Sequence, residues 1–146
     1  MKIILIKGGG PVKQVRFSRN RQAILNCLRA TDTHPTAEWV FARLRPTHPS
    51  LSLATVYRNL AQLKEAGLVN SMGFMQGKEH FDADVSPHTH VLCVRCGRLT
   101  DVPDVSVPPD LLASVAGATG FDLSAHGVQF SGLCPDCQSK QKEEQT

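Results

Sequence analysis

Ser52-Leu53-Ala54-Thr55-Val56-Tyr57-Arg58-Asn59-Leu60-Ala61-Gln62-Leu63-Lys64-Glu65-Ala66-Gly67 is the stretch whose reading decides the fold. The Ser52 hydroxyl is suited to capping a helix N-terminus, and Gly67 supplies the left-handed position that ends one. Between them Val56, Leu60 and Leu63 recur on one face. Thr55, Arg58, Asn59 and Gln62 form the opposite polar stripe at i, i+3, i+4 and i+7.

Two more helices precede this one. Ser18 caps the first, with Ile24, Leu25 and Leu28 on one face. After a turn from Thr31 to Pro35, Thr36 caps the second, which carries Ala37, Val40, Phe41 and Leu44 on one stripe and stops at Pro46. Downstream, Leu68-Val69-Asn70-Ser71 and Lys78-Glu79-His80-Phe81 can pair as a hairpin around Gln76-Gly77. Three helices followed by a β-wing predict a winged helix-turn-helix over residues 1–82.

Charge divides the chain in the same way. Residues 1–80 hold 12 Lys/Arg against 4 Asp/Glu, a balance of +8, whereas residues 81–146 hold 4 against 9, a balance of −5, which together give the net +3. A basic half beside an acidic half suggests a polyanion-binding domain joined to a domain with another task. The polar stripe of the third helix offers Arg and Asn donors suited to the major groove, and Lys13, Arg16, Arg19 and Arg21, read as lying before the first helix, could neutralise phosphates. An ordinary solvated helix face has the same polarity. The wing and the basic balance favour double-stranded DNA, with Lys13, Arg16, Arg19, Thr55, Tyr57, Arg58 and Asn59 as the expected contacts.

The second half contains two knuckles of identical spacing, Cys93-Val94-Arg95-Cys96 and Cys134-Pro135-Asp136-Cys137. Paired Cys-x-x-Cys motifs a few tens of residues apart supply four thiolates to one tetrahedral Zn(II). A redox dithiol would more often open a helix in a βαβ unit, and a disulfide framework belongs to secreted chains. Cys27 lies in an apolar helical run and reads as an inert buried thiol. Ile3 to Ile6 is too short an apolar run for a signal peptide or membrane span. It reads as a frayed end, followed by a flexible joint at Gly8-Gly9-Gly10-Pro11. A soluble, cytoplasmic chain is expected, with no membrane partner and no small organic ligand.

Between wing and first knuckle runs His80-Phe81-Asp82-Ala83-Asp84-Val85-Ser86-Pro87-His88-Thr89-His90. His88 and His90 alternate, so on a strand they share a face and can point at one ion. Imidazoles with carboxylates suit Mn(II), Fe(II), Co(II) or Zn(II), although histidines of this spacing also occur on surfaces without a ligand.

With these motifs in view, the sequence resembles the ferric uptake regulator (Fur) family. The matching stretches are His34-Pro35-Thr36-Ala37-Glu38, Leu53-Ala54-Thr55-Val56-Tyr57-Arg58-Asn59-Leu60, Glu65-Ala66-Gly67-Leu68-Val69, His88-Thr89-His90-Val91-Leu92-Cys93-Val94-Arg95-Cys96-Gly97 and the Cys134 to Cys137 knuckle. They occur in the family's order from about residue 16 to 138. The resemblance implies an α+β chain: a winged helix (1–82), a hinge (83–87) and a small α/β dimerisation domain with the four-cysteine zinc site (88–146). It implies a homodimeric, metal-responsive repressor binding operator DNA.

The resemblance also supplies a regulatory ligand set of His34, Asp82, His88, His90 and Asp101, holding Mn(II) or Fe(II). Iron-sensing members usually carry glutamate at the position of Asp82, whereas peroxide regulators of the PerR type carry aspartate. A further metal site of many members would need ligands at 87, 89, 108 and 126. Here those are Pro87, Thr89, Pro108 and His126, so that site is expected to be absent, and His80 and His126 read as surface or hydrogen-bonding residues. Three inputs follow from the shell: manganese, iron, or peroxide acting through bound Fe(II) on His34 or His88. A manganese or iron uptake regulator without peroxide sensing is the nearest alternative. A histidine/aspartate metallohydrolase is the alternative from another class, and five protein ligands with no evident general base disfavour it.

Overall fold

A computed structural model of the chain describes residues 3–5, 14–123 and 128–145. Lys13, His126 and the Gly8 to Pro11 joint therefore lie outside the described residues. The chain divides into two compact units, Met1–Val85 and Ser86–Thr146.

In the first unit, strands β1 (Ile3–Leu5) and β2 (Gln14–Arg16) pair antiparallel, so the expected frayed end contains a strand. Helices α1 (Arg19–Arg29), α2 (Ala37–Leu44) and α3 (Leu53–Glu65) follow. Their N-termini are set locally: the Ser18, Thr36 and Ser52 hydroxyls accept from the backbone N–H of Arg21, Trp39 and Thr55 at 3.2, 3.3 and 3.1 Å. Arg19 and Arg21 belong to α1 rather than preceding it. The α3 helix ends at Ala66, with Gly67 at φ +73°.

Ile24, Leu25 and Leu28 of α1, Val40 of α2 and Val56, Leu60 and Leu63 of α3 interlock with Val69 and Phe81 in one core. Each such side chain contributes about 1.5–3 kcal/mol by leaving water. Cys27 is buried in this core, and burial pushes its thiol pKa up, as befits an inert thiol.

The wing consists of β3 (Asn70–Met75) and β4 (Lys78–Asp82), antiparallel. Its first strand begins two residues later than the sequence suggests, because Val69 is committed to the core, and it extends to the turn. The register shifts between Ser71 and Phe74, where Gly73 adopts φ +88°. Gln76 and Gly77 both take positive φ, the twist-compatible geometry of a two-residue hairpin turn.

The second unit is a three-stranded sheet in the order β6-β5-β7, with helices α4 (Pro109–Thr119) and α5 (Pro135–Glu144). β5 (Thr89–Cys93) pairs antiparallel with β6 (Leu99–Val102) and parallel with β7 (Gln129–Gly132). Gly120, at φ +74°, ends α4. Among the described residues the buried positions here are Thr89, His90, Cys93, Leu99 and Cys137, and no residue of α4 is buried. So small an apolar core needs further stabilisation. No helix among the described residues is long and apolar enough to cross a membrane.

Candidate metal centres and nucleic-acid face

Cys93 closes β5, and a tight turn through Gly97 (φ +74°) returns the chain so that the Cys93 N–H bonds the Arg98 carbonyl. Cys134 caps α5, and Cys137 lies in its first turn. The four Sγ atoms lie within 4.8 Å of one another, and those of Cys96 and Cys134 are 3.8 Å apart. Thiolates about 2.3 Å from a central zinc would be separated by about 3.8 Å along a tetrahedral edge, so the quartet fits that ion. Backbone N–H groups of Cys134, Cys96 and Arg95 lower the Cys93 pKa to about 6. Burial and the neighbouring thiols push Cys137 up to about 12. Arg95 pairs with Glu144 at 2.5 Å and Arg98 with Asp136 at 2.7 Å, tying the first knuckle to α5.

In the same unit, His90 and Asp101 stand directly opposite across the β5–β6 pair, so their side chains share a face. His88 lies one residue before the strand, yet it reaches the same carboxylate. Asp101 Oδ1 is 3.2 Å from His88 Nε2 and 3.1 Å from His90 Nε2. The two imidazole centroids are 4.3 Å apart. His88 Nδ1 donates to the Ser86 carbonyl at 2.7 Å. In the neutral ring that bond leaves a lone pair on Nε2, facing a carboxylate oxygen that is also an acceptor. Two acceptors face each other stably only around a cation, either a proton or a metal. Ligands at right angles, each about 2.1 Å from an ion, lie about 3.0 Å apart, so His88, His90 and Asp101 also fit a metal.

In the first unit, His34 is 2 % exposed and adopts φ +51°, a left-handed conformation uncommon outside glycine. It lies two residues before the Thr36 cap. Its Nε2 lies 3.2 Å from Asp82 Oδ2, at the end of β4. The other Asp82 oxygen accepts from the Asp84 N–H at 2.8 Å. The β4 strand is stitched to the His34 loop, because the Phe81 N–H donates to the Pro35 carbonyl at 3.1 Å and Thr36 bridges His80. His80 Nδ1 donates to the His34 carbonyl at 2.6 Å. Its hydrogen-bonding role agrees with the sequence reading, but its partner, 46 residues away, leaves no local signal.

The exposed stripe of α3 differs from the one read off the sequence. Ala54, Tyr57, Arg58, Ala61, Gln62 and Glu65 face outward, while Thr55 is half-buried. Asn59 is buried at 6 % exposure: its Nδ2 donates to the Thr55 carbonyl at 2.8 Å, and its Oδ1 accepts from Arg21 Nε at 3.0 Å. Arg21 donates further to the Arg16 carbonyl and to Gln62 Oε1. Asn59 is thus an internal strut, which corrects its placement on a DNA-facing surface, and half-buried Arg21 braces it. Arg16, Arg19, Tyr57 and Arg58 remain exposed. The Tyr57 hydroxyl donates to Glu38 at 3.0 Å, steadying the ring over α2. Ala54 and Ala61, which polarity alone passes over, keep the stripe low between the long side chains.

The model of the Ferric uptake regulator family matches residues 12–131. The peroxide-responsive repressor PerR of Staphylococcus saprophyticus is 38% identical over 128 residues, covering 86% of this chain and 84% of that one. Among solved structures, the Campylobacter jejuni peroxide stress regulator aligns with a TM-score of 0.69 at 28% identity, covering 80% of this chain and 87% of that chain. The Vibrio cholerae ferric uptake regulator gives 0.66 at 29%, covering 82% and 92%. A family match over most of the chain, with a relative 38% identical over 86% of it, shows that the chain belongs to the ferric uptake regulator family.

Proposed function

We propose that this chain is a metal-dependent transcriptional repressor that binds operator DNA as a homodimer and responds to Mn(II) or Fe(II), with peroxide as a further input. The carrying observation is the convergence of His88 and His90 on a single oxygen of Asp101, with His88 Nδ1 already committed to a carbonyl. That arrangement of acceptors calls for a cation. His34 and Asp82 supply a second ligand pair from the first unit. One ion held by all five residues couples the DNA-binding unit to the second unit across a hinge at residues 83–87. Ion binding then selects the arrangement in which both α3 helices of a dimer meet DNA. A coupling of about 1–3 kcal/mol changes DNA affinity roughly 5- to 150-fold.

Dimerisation is supported by the exposed apolar side chains of the second unit, Leu111 and Val115 on α4 and Phe130 on β7. Zinc held by Cys93, Cys96, Cys134 and Cys137 supplies the stability that its small core lacks. Peroxide as input is supported by the PerR relatives and by aspartate, rather than glutamate, at position 82. Bound Fe(II) would give peroxide one electron, yielding hydroxide and a hydroxyl radical; the radical would add to a nearby imidazole, and the adduct would return one electron to the oxidised iron and lose a proton, with His34 and His88 as the candidate rings. A cytoplasmic location goes with this reading.

The test is fluorescence anisotropy on a labelled duplex selected from a random pool by the Mn(II)-loaded protein. Metal-free protein should bind weakly, and Mn(II) and Fe(II) should each restore tight binding. Peroxide should release only the Fe(II) form. Equal affinity with and without metal would refute the reading.

A further inference from the structure

The wing strand does more than follow the helices. His80 and Asp82 alternate on β4 and therefore share a face, and both reach the same residue. Asp82 approaches the His34 imidazole, at 3.2 Å from Nε2, and His80 holds the His34 main chain through its carbonyl at 2.6 Å. Between them the Phe81 N–H grips Pro35, while the Phe81 ring is buried in the core, anchoring the strand. A residue held at φ +51° without a glycine's freedom persists only where its surroundings determine it.

We infer that His80 is a positioning residue for the regulatory ion: its Nδ1–H···O bond to His34 fixes the backbone from which the His34 imidazole projects. The inference rests on the reading of His34 as a ligand. His80 need not touch the ion. A carbonyl only accepts, so the proton lies on Nδ1, and the ring acts as a clamp on residue 34. Without the clamp the His34 loop explores other conformations and must be reordered when metal binds, which weakens affinity. The wing thereby becomes part of the metal site's scaffold.

The experiment titrates Mn(II) calorimetrically into zinc-loaded dimer carrying His80→Phe or His80→Val, two strand-compatible residues without the donor, beside His80→Asn and His34→Ala. The His80→Asn substitution places an amide nitrogen where the imidazole Nδ1 stood. Loss of one net hydrogen bond should raise the Mn(II) Kd about 2- to 12-fold in the His80→Phe and His80→Val variants, and His80→Asn should recover most of it. Amide exchange in the metal-free protein should quicken at residues 34–36 in the donor-less variants, with zinc content and dimer unchanged. If a folded donor-less variant keeps both the wild-type Kd and the wild-type exchange while His34→Ala weakens Mn(II) binding, His80 has no positioning role. If His34→Ala itself leaves Mn(II) affinity unchanged, His34 is not a ligand and the inference falls with that reading.

Discussion

Arg21 Nε donates to Asn59 Oδ1 at 3.0 Å, joining α1 to α3 across 38 positions of sequence. The donor also holds Gln62, and the acceptor turns its amide back onto its own helix. Asn59→Ala should therefore act on stability. Leaving Arg21 without this partner should lower the unfolding free energy by about 1–3 kcal/mol, measured by urea denaturation. Arg58→Ala, on the exposed stripe, should leave the urea midpoint unchanged and weaken DNA binding by about 1–3 kcal/mol, concentrated at one operator position. The reverse pairing of effects would mean that the two roles are exchanged.

Zinc uptake by a quartet already gathered in the folded unit should release protons in a pH-dependent number. With the Cys93 pKa near 6 and Cys137 near 12, Cys93 is already a thiolate at pH 7.5, whereas Cys137 must give up its proton to the metal. Release should stay below four protons per zinc at pH 7.5 and gain about one as pH falls to 5 and Cys93 becomes protonated. Calorimetry in buffers of different ionisation enthalpy measures this. In whatever fraction of the zinc-free second unit stays folded, the depressed Cys93 pKa adds stability above the unfolded thiol's pKa, and that contribution is lost as pH falls through about 6. The raised Cys137 pKa works the other way, adding stability below the unfolded pKa and losing it as pH climbs toward 12.

Cys96→Ser should bring zinc to background, unfold the second unit and dissociate the dimer, because its few buried residues include two of the four thiols. Val115→Glu and Phe130→Glu should retain zinc but yield monomer at micromolar concentration, as read by sedimentation. A zinc-free Cys96→Ser dimer with an unchanged far-UV spectrum would exclude the staple.

Asp82→Glu should preserve activation of DNA binding by Mn(II) and blunt the response of the Fe(II) form to peroxide. The longer side chain must still serve the position 3.2 Å from His34 Nε2, but it shifts the carboxylate by one methylene. Mass analysis of the peptides bearing His34 and His88 should show less added oxygen than in the wild type. Undiminished oxidation would separate the identity of residue 82 from peroxide sensing.

The helices of the first unit are legible in the sequence because their determinants are local: a hydroxyl three residues before the N–H it caps, and apolar residues at helical spacing. The knuckles are legible for the same reason, since ligand spacing is written in the chain. Long-range pairings leave no such trace. Periodicity places Asn59 beside Arg58 on a polar face, but a partner 38 residues upstream turns it inward. The His80–His34 bond spans 46 residues and joins groups that no local pattern connects. Asp101 enters the ligand set by family resemblance; only the antiparallel register that sets it opposite His90 gives it a physical basis.

The most direct measurement is metal-stimulated DNA binding by His34→Ala and His90→Ala, titrating Mn(II) against the selected duplex with the wild type in parallel. Each substitution removes one imidazole, His34 from the first unit and His90 from the second, and neither touches the cysteine quartet. Both variants should remain zinc-loaded dimers and lose activation by Mn(II), binding DNA as weakly as metal-free wild type. Activation of either variant at the wild-type Mn(II) concentration would contradict an ion shared between the two units.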